Sequence, residues 1–270
     1  MRAGSPPPAP QPLRVEVVDS HCHLDAMGVD VGDTVAAAHA VGVRRIVTVG
    51  DTVASSHWCT QTAAANHDVY AAVAVHPNET ASFDDAAAAE IDRLAALPQV
   101  RAVGETGLDY YWQRVPAAVQ QAAFRRHIEI AKSRRKALAI HDRDAHHDVL
   151  RILDEEGAPD PTVFHCFSGD GEMAKICAER GYFMSFAGNV TFKNAVDLRA
   201  ALSVAPVHLL LVETDAPFLT PMPFRGRPNA PYLIPLTVRA MAQVKGVDED
   251  ILAAALAANS ERIFGPFGLD

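Results

Sequence analysis

Five short segments of this chain each end an apolar run with side chains of the types that bind metal ions. The segments are VDSHCHLD, VGETGLD, LAIHD, VFHCFSG and VETDAPF, and they supply His21, His23, Glu105, His141, His165 and Asp215. Each of these residues lies where the sequence predicts the carboxyl end of a β-strand. Four imidazoles and two carboxylates form a donor set that suits one or two divalent metal ions.

The spacing and surroundings of these residues indicate what they do. His21 and His23 are two residues apart in an extended segment, so both imidazoles point to one face and can reach one ion. Glu105 follows the run VRAV, and a glutamate is seldom fully buried without a partner. A metal ion is favoured over an arginine as that partner, and two carboxylate oxygens can bridge two ions. Asp215 can bind a metal ion and also accept a proton from the attacking water.

The strand ends must be brought together by the fold. Parallel strands buried on both faces are predicted as mostly continuous apolar runs at 14–20, 43–50, 69–76, 100–107, 136–142, 162–168, 182–188 and 208–215. Alanine-rich helical segments separate them, and two more helices are predicted at 232–245 and 248–263. This alternation predicts an α/β fold, a single (β/α)8 TIM-type barrel with extra C-terminal helices, in which active sites lie at the carboxyl ends of the strands. The rival doubly wound sheet is disfavoured because no glycine-rich dinucleotide loop follows a strand.

The first twelve residues differ in composition from the rest of the chain. MRAGSPPPAPQP is rich in proline and lacks the apolar run of a signal peptide. We therefore expect residues 1–12 to form a disordered or extended tail before one domain that covers residues 13–270.

Within that domain four aspartates precede helical segments and are predicted to be N-caps, namely Asp51, Asp84, Asp144 and Asp170.

The composition excludes several classes of protein. The net charge is −9 and the isoelectric point is about 5.7, whereas a protein that coats nucleic acid is usually basic. Any contact with nucleic acid must therefore be local, with metal ions carrying much of the positive charge. No apolar run approaches the roughly 18 residues of a membrane span, so no membrane association is predicted. Four cysteines without a CxxC pair indicate reduced thiols and a cytoplasmic location.

Several motifs in a fixed order resemble those of the TatD-related metal-dependent deoxyribonucleases, which belong to the amidohydrolase-like barrels. The motifs are DSHCHLD, GETGLD, HCFSG and ETDAP, and the resemblance runs from about residue 16 to 266, with AVAVHPNE and RPNAPYLIPLTV included. The resemblance implies that residues 13–270 are a TatD-like hydrolase that holds two divalent ions. One ion would be held by His21, His23, Glu105 and Asp215, and the other by Glu105, His141 and His165. Histidines with carboxylates suit Zn, Mn or Mg, and the sequence does not choose among them.

Two further residues are candidates for binding the substrate. His76 in VHPNE matches another histidine of the family, for which the resemblance implies a contact with a substrate phosphate. A hydrogen-bonded histidine at the turn before Pro77 is an equally supported alternative. Arg143 follows the predicted ligand His141, and it can pair either with a phosphate oxygen or with an acid such as Asp144.

Three aromatic residues follow the Glu105 segment on a predicted loop at the mouth of the site. Tyr110, Tyr111 and Trp112 can stack on exposed nucleobases, or they can simply pack that loop. Both alternatives remain open at this point.

The ligand set and the resemblance together predict an enzyme. We expect a deoxyribonuclease that trims the 3′ ends of DNA, in particular single strands, with a metal-activated water and with Asp215 and Glu105 as catalytic residues. Amide or ester hydrolysis on the same metal site, or deacylation of aminoacyl-tRNA, is the alternative. A glutamate rather than a carboxylated lysine on strand four favours the nuclease. A non-enzymatic binding role is disfavoured because no ligand position is lost, and no obligate protein partner is predicted.

Overall fold

The computed structural model describes residues 4–265. Its strands run in the order β1 to β8 within one sheet. They are β1 Val17–Cys22, β2 Val43–Val49, β3 Val69–Val73, β4 Val100–Asp109, β5 Ala137–Arg143, β6 Thr162–Phe164, β7 Phe183–Phe186 and β8 Leu210–Val212. The helices are α1 Leu24–Met27, α2 Val31–His39, α3 Val53–Ala65, α4 Asp85–Ala95, α5 Ala117–Arg134, α6 His146–Glu156, α7 Gly171–Glu179, α8 Val196–Val204, α9 Ile234–Lys245 and α10 Glu249–Phe264. This alternation and strand order confirm the predicted (β/α)8 class with extra C-terminal helices.

The chain divides into two compact units. The terminal unit comprises the residues up to Val47 together with those from Gly169 onward, and the central unit is Thr48–Ser168. None of the helices within residues 4–265 is long and apolar enough to cross a membrane.

The central unit contains β3 to β6, which pair in parallel in chain order. Asp109 of β4 lies opposite Arg143 of β5, so the carboxyl ends of these two strands are side by side. Gly107 makes this close approach possible, since its φ is +142° and a Cβ there would clash with the carbonyl oxygen of His141. Helix α5 packs against β4 and buries a stripe of residues that includes Phe124 and Ile128.

The terminal unit contains the parallel pair β7 and β8 and the last four helices. Helix α10 packs against β1 and β8 and buries Leu252, Leu256 and Ile263 at helical spacing. Asn259 of the same helix donates hydrogen bonds to the carbonyl groups of Val207 and Leu210 at 2.9 and 2.8 Å. These contacts fix the start of β8, whose carboxyl end leads to Asp215.

The proline-rich segment at residues 4–12 has no regular secondary structure, but the terminal unit holds it in place. Prolines lack an N–H group, so the segment mainly offers carbonyl acceptors, and side chains far along the chain supply the donors. Arg227 Nη2 donates to the carbonyl of Pro6 at 2.7 Å, and the Tyr232 hydroxyl donates to that of Pro7 at 2.7 Å. The expectation of a disordered or extended tail at residues 1–12 before a domain at 13–270 stays a prediction. Residues 1–3 lie outside the described part of the chain.

Two of the four predicted N-caps are confirmed. Asp84 and Asp170 accept hydrogen bonds from the first backbone N–H groups of α4 and α7. The other two predictions are wrong. Thr52 caps α3 through a reciprocal pair with Ser55, and Ala145 is the N-cap residue of α6, which has no side-chain cap.

Candidate metal centre

The first cluster of predicted ligands lies within the central unit. Glu105 lies in β4, His141 in β5, and His165 follows β6 directly. The Oε2 atom of Glu105 is 3.1 Å from Nδ1 of His141 and 2.8 Å from Nε2 of His165. Only 4% of Glu105 and 7% of His165 are exposed, so these donors face one another away from bulk water.

The electrostatics of this cluster keep Glu105 ionised. Burial opposes ionisation, but electrostatic interactions with the rings of His165 and His76 and a hydrogen bond with His141 outweigh it, so the pKa of Glu105 lies well below its ordinary value. Burial likewise lowers the pKa of His141, yet hydrogen bonds to Asp109 and Glu105 raise it above the ordinary value. The cluster therefore presents one full negative charge to a group of imidazoles, a combination that a divalent cation satisfies.

Asp109 fixes the orientation of His141. Its Oδ2 atom accepts hydrogen bonds from Nε2 of His141 at 3.1 Å and from Nδ2 of Asn78 at 3.0 Å. Its Oδ1 atom accepts from the backbone N–H groups of Tyr111 at 3.1 Å and Trp112 at 2.9 Å. Burial opposes its ionisation, but the hydrogen bonds lower the pKa of Asp109 to about 2. A carboxylate that holds the far nitrogen of a ligating histidine is a common feature of metal sites.

The sequence analysis missed Asp109, although one signal pointed to it. The residue lies four positions after Glu105 in the same strand, and side chains of alternate strand residues share a face.

His76 lies beside the same cluster. Its Nδ1 atom accepts a hydrogen bond from the backbone N–H of Asn78 at 3.0 Å, which caps the turn that begins at Pro77. Its Nε2 atom is 3.9 Å from Oε2 of Glu105, and its ring lies 4.4 Å from the ring of His141. Burial lowers the pKa of His76 to about 4, so the imidazole is neutral at pH 7. The hydrogen-bonded turn is confirmed, and the contact with substrate stays a prediction.

Arg143 ends β5 two residues after His141. Its guanidinium lies 4.0 Å from the centre of the Tyr111 ring and 5.8 Å from that of Trp112. Within residues 4–265 this guanidinium forms no ion pair with a carboxylate, and its pairing with an acid such as Asp144 stays a prediction. Its pairing with a phosphate stays a prediction.

The second cluster of predicted ligands lies within the terminal unit. His21 belongs to β1, and His23 follows that strand. Their Nε2 atoms are 4.0 and 3.6 Å from Oδ1 of Asp215. Asp215 adopts a φ of +54°, which turns its side chain out of the direction of β8, and its N–H donates to the carbonyl of His21 at 2.9 Å. The structure thus brings these three predicted ligands together.

Two buried carboxyl groups, Asp19 and Glu213, lie two residues before His21 and Asp215 and were not predicted. Asp19 accepts hydrogen bonds from the backbone N–H and the hydroxyl of Thr214, which ties β1 to the segment that carries Asp215. Burial raises the pKa of Asp19 to about 7, and the neighbouring charge of Glu213 also raises it. Glu213 is itself fully buried. Glu213 lies two residues before Asp215, and side chains at this spacing in a strand share a face, so the sequence did contain a signal for this second acid.

Both clusters have the donor chemistry of a metal site. In the central unit, the ligand atoms of Glu105, His141 and His165 all lie within 4.8 Å of one another. Imidazole nitrogens combined with carboxylate oxygens suit Zn or Mn, with Mg at a more oxygen-rich position. The residues that are present therefore fit divalent metal ions.

Comparison with known proteins gives a consistent result. Residues 18–265 match the family described as TatD related DNase. The chain is 46% identical over 258 residues to a Mycobacterium tuberculosis protein named as an uncharacterized metal-dependent hydrolase TatD, with 92% of this chain and 98% of that protein covered. It is 36% identical over 249 residues to the Bacillus subtilis metal-dependent hydrolase YabD, with 91% and 98% covered.

A solved structure of similar fold is the Escherichia coli TatD homologue YjjV. It superposes with a TM-score of 0.87 at 26% identity, with 93% of this chain and 98% of that chain covered. A TatD-family hydrolase from Entamoeba histolytica superposes with a TM-score of 0.83 at 18% identity and shares the fold.

Proposed function

Because the chain belongs to the TatD-related family of metal-dependent hydrolases, we propose that it is a deoxyribonuclease that removes nucleotides from the 3′ ends of single-stranded DNA. The observation that carries this proposal is the buried Glu105, His141 and His165 cluster with Arg143 beside it. A metal-binding cluster next to an arginine that has no carboxylate partner among residues 4–265 suits a phosphodiester substrate. The description of the family supports the same reaction.

We assign two divalent ions, Zn, Mn or Mg, one to each cluster. His21, His23 and Asp215 would hold one ion, and Glu105, His141 and His165 would hold the other. When bound, such ions activate water and neutralise charge on the phosphate. The expectation that Glu105 serves both ions stays a prediction.

The remaining roles fall to side chains of the protein. Asp215 accepts the proton of the attacking water at Oδ1, and 15% of its side chain is exposed, so water can reach it. His76 uses Nδ1 as an acceptor and is neutral, so its proton lies on Nε2, which can donate a hydrogen bond to a phosphate oxygen. Arg143 binds a second phosphate oxygen through its planar guanidinium.

Amide or ester hydrolysis, including deacylation of aminoacyl-tRNA, is the alternative use of the same residues. The position of Arg143 favours a phosphodiester over simple amides and esters, because a neutral carbonyl group offers a guanidinium no negative charge to pair with. Aminoacyl-tRNA carries phosphates of its own, so a substrate assay must separate it from DNA.

A substrate panel tests the choice between these bonds. Protein reconstituted separately with Zn²⁺, Mn²⁺ and Mg²⁺ is incubated with a 5′-labelled single-stranded oligonucleotide, an aryl ester, a lactone and an aminoacyl-tRNA. We expect a ladder of oligonucleotides shortened from the 3′ end and no comparable turnover of the others. Turnover of the ester or the aminoacyl-tRNA by protein that binds metal but leaves the oligonucleotide intact would contradict the proposal.

A further inference from the structure

We propose that Tyr111, Trp112 and Arg143 form a platform that holds one unpaired nucleobase and an adjoining phosphate beside the Glu105, His141 and His165 cluster. The inference rests on the proposed function, and it names the part of the substrate that this surface recognises. That part is a nucleotide whose base is not stacked in a duplex.

Two of the three aromatic residues on this loop are presented to solvent. Tyr111 is 55% exposed and Trp112 is 53% exposed, and their rings meet edge to face with centroids 5.1 Å apart. Tyr110 differs, since its hydroxyl donates to Asp148 at 2.8 Å and accepts from Gln121 at 2.7 Å. Tyr110 therefore packs the loop, whereas the other two leave large apolar faces open. Adjacent exposed aromatic faces of this kind mark binding surfaces, and any nucleobase has a face that stacks on them.

Arg143 gives the platform its charge, and a second arginine lies beside it. Arg143 lies over the Tyr111 ring at 4.0 Å, and Arg114 lies over the Trp112 ring at 5.4 Å. Neither guanidinium forms an ion pair with a carboxylate in the part of the chain that the structure describes. A guanidinium that stacks on a ring keeps its N–H edge free for phosphate oxygens. A chain with a net charge of −9 thus carries a local positive, aromatic surface.

The platform is connected to the metal-binding cluster by short, ordered links. Asp109 accepts hydrogen bonds from the N–H groups of Tyr111 and Trp112 through Oδ1 and from His141 through Oδ2. The N–H of Tyr110 donates to the carbonyl of Arg143 at 2.9 Å, which joins the loop to the end of β5. The platform is therefore preorganised before substrate binds, so little conformational entropy is lost on binding.

This arrangement predicts how the surface discriminates between nucleic acids. Stacking and phosphate contacts do not read the edges of a base, so binding is tolerant of sequence. A base inside a duplex has no free face, so single strands and frayed ends are preferred.

The test measures binding without hydrolysis. Metal-free protein is titrated with two fluorescent oligonucleotides of equal length, a thymidine homopolymer and a base-free chain of abasic residues, which share their phosphates. We expect the wild-type protein to bind the thymidine chain about tenfold more tightly than the base-free chain. Trp112→Ala and Tyr111→Ala should each weaken binding of the thymidine chain about tenfold and leave the base-free chain unaffected, while Trp112→Phe should retain most of the affinity.

The charged part of the platform is tested with the same two probes. Arg143→Ala should weaken binding of both chains, because it removes a phosphate contact. Arg126→Ala is the control, since it removes an exposed arginine of α5 that pairs with Glu129. The control should bind both chains as the wild-type protein does. All the altered side chains are at least partly exposed, and circular dichroism verifies that each variant is folded.

The possible results separate this inference from the proposed function. Equal affinity of the wild-type protein for the two chains would overturn the platform, even if the protein cleaves DNA. The same holds if Tyr111→Ala and Trp112→Ala both bind the thymidine chain as tightly as the wild-type protein does. Base-dependent binding that is lost in these variants would support the platform, even if no metal ion restores cleavage and the proposed reaction fails.

Discussion

Replacing Asp109 with asparagine removes the carboxylate that holds His141. Each oxygen of Asp109 accepts two hydrogen bonds, one oxygen from His141 and Asn78 and the other from two backbone N–H groups. Asparagine has one amide oxygen, so in either orientation its NH₂ group meets two donors. If the NH₂ group faces His141, the imidazole must accept at Nε2 and carry its proton on Nδ1, the atom that faces Glu105. A protonated Nδ1 cannot bind a metal ion.

The expected size of the effect follows from this geometry. Loss of the partner that orients a ligating histidine typically lowers metal affinity about 10- to 100-fold, which corresponds to about 1.4–2.8 kcal/mol. The buried donors left without an acceptor also lower the free energy of unfolding by about 1–3 kcal/mol. Metal affinity must therefore be measured under conditions in which the variant is fully folded.

The assay is calorimetric titration of metal-free protein with Zn²⁺ in a His23→Ala background, which removes a ligand of the other cluster. Asp92→Asn is the matched control, because it neutralises an aspartate of α4 that pairs with Arg134 rather than with a residue of the cluster. We expect Asp109→Asn to bind Zn²⁺ about 10- to 100-fold more weakly than the control. An affinity within twofold of the control would refute the role of Asp109 as the residue that orients His141.

Two further predictions concern stability. Burial lowers the pKa of His127 from 6.5 to about 4 in the folded protein. Between pH 6.5 and pH 4 the unfolded chain therefore binds more protons than the folded protein does, so the free energy of unfolding falls as the pH falls. The stability of the wild-type protein relative to His127→Gln, measured by urea unfolding, should therefore decrease by about 3 kcal/mol from pH 7 to pH 4, and a difference that does not change with pH would contradict this. Gly107→Ala introduces a Cβ that clashes with the carbonyl of His141 and should lower the free energy of unfolding by roughly 2–4 kcal/mol. Gly181→Ala also has a positive φ but no atom within 4 Å of the new Cβ, so it should cost roughly 1 kcal/mol, and equal losses in the two variants would argue against the clash.

The sequence predicts the order of elements well, because each strand is an apolar run and each ligand follows one. It does less well at the strand ends. Strands β6 and β8 stop at Phe164 and Val212, several residues before their predicted ends. Cys166 and Asp215 beyond them adopt φ values of +42° and +54°, which end the extended conformation. Hydrophobic periodicity carries no signal for such a turn of the backbone.

The other differences arise from contacts between residues distant in the sequence. Asp109 acquires its role only when β4 pairs with β5, which places it beside His141. Arg227 and Tyr232 donate hydrogen bonds to the proline-rich segment, and composition alone cannot reveal such donors. Local composition predicts helices and strands. The role of a residue such as Asp109 depends on contacts that form only when the chain folds.

The requirement for a metal ion at Glu105 is tested most directly by adding Mn²⁺ back to metal-free protein. Shortening of a 5′-labelled single-stranded oligonucleotide is followed for the wild-type protein, for Glu105→Gln and for Glu129→Gln, which alters an exposed glutamate of α5. We expect the wild-type and Glu129→Gln proteins to gain 3′-shortening activity as Mn²⁺ is added, and folded Glu105→Gln to remain at least about 100-fold slower. Cleavage by Glu105→Gln at the wild-type rate would contradict the account.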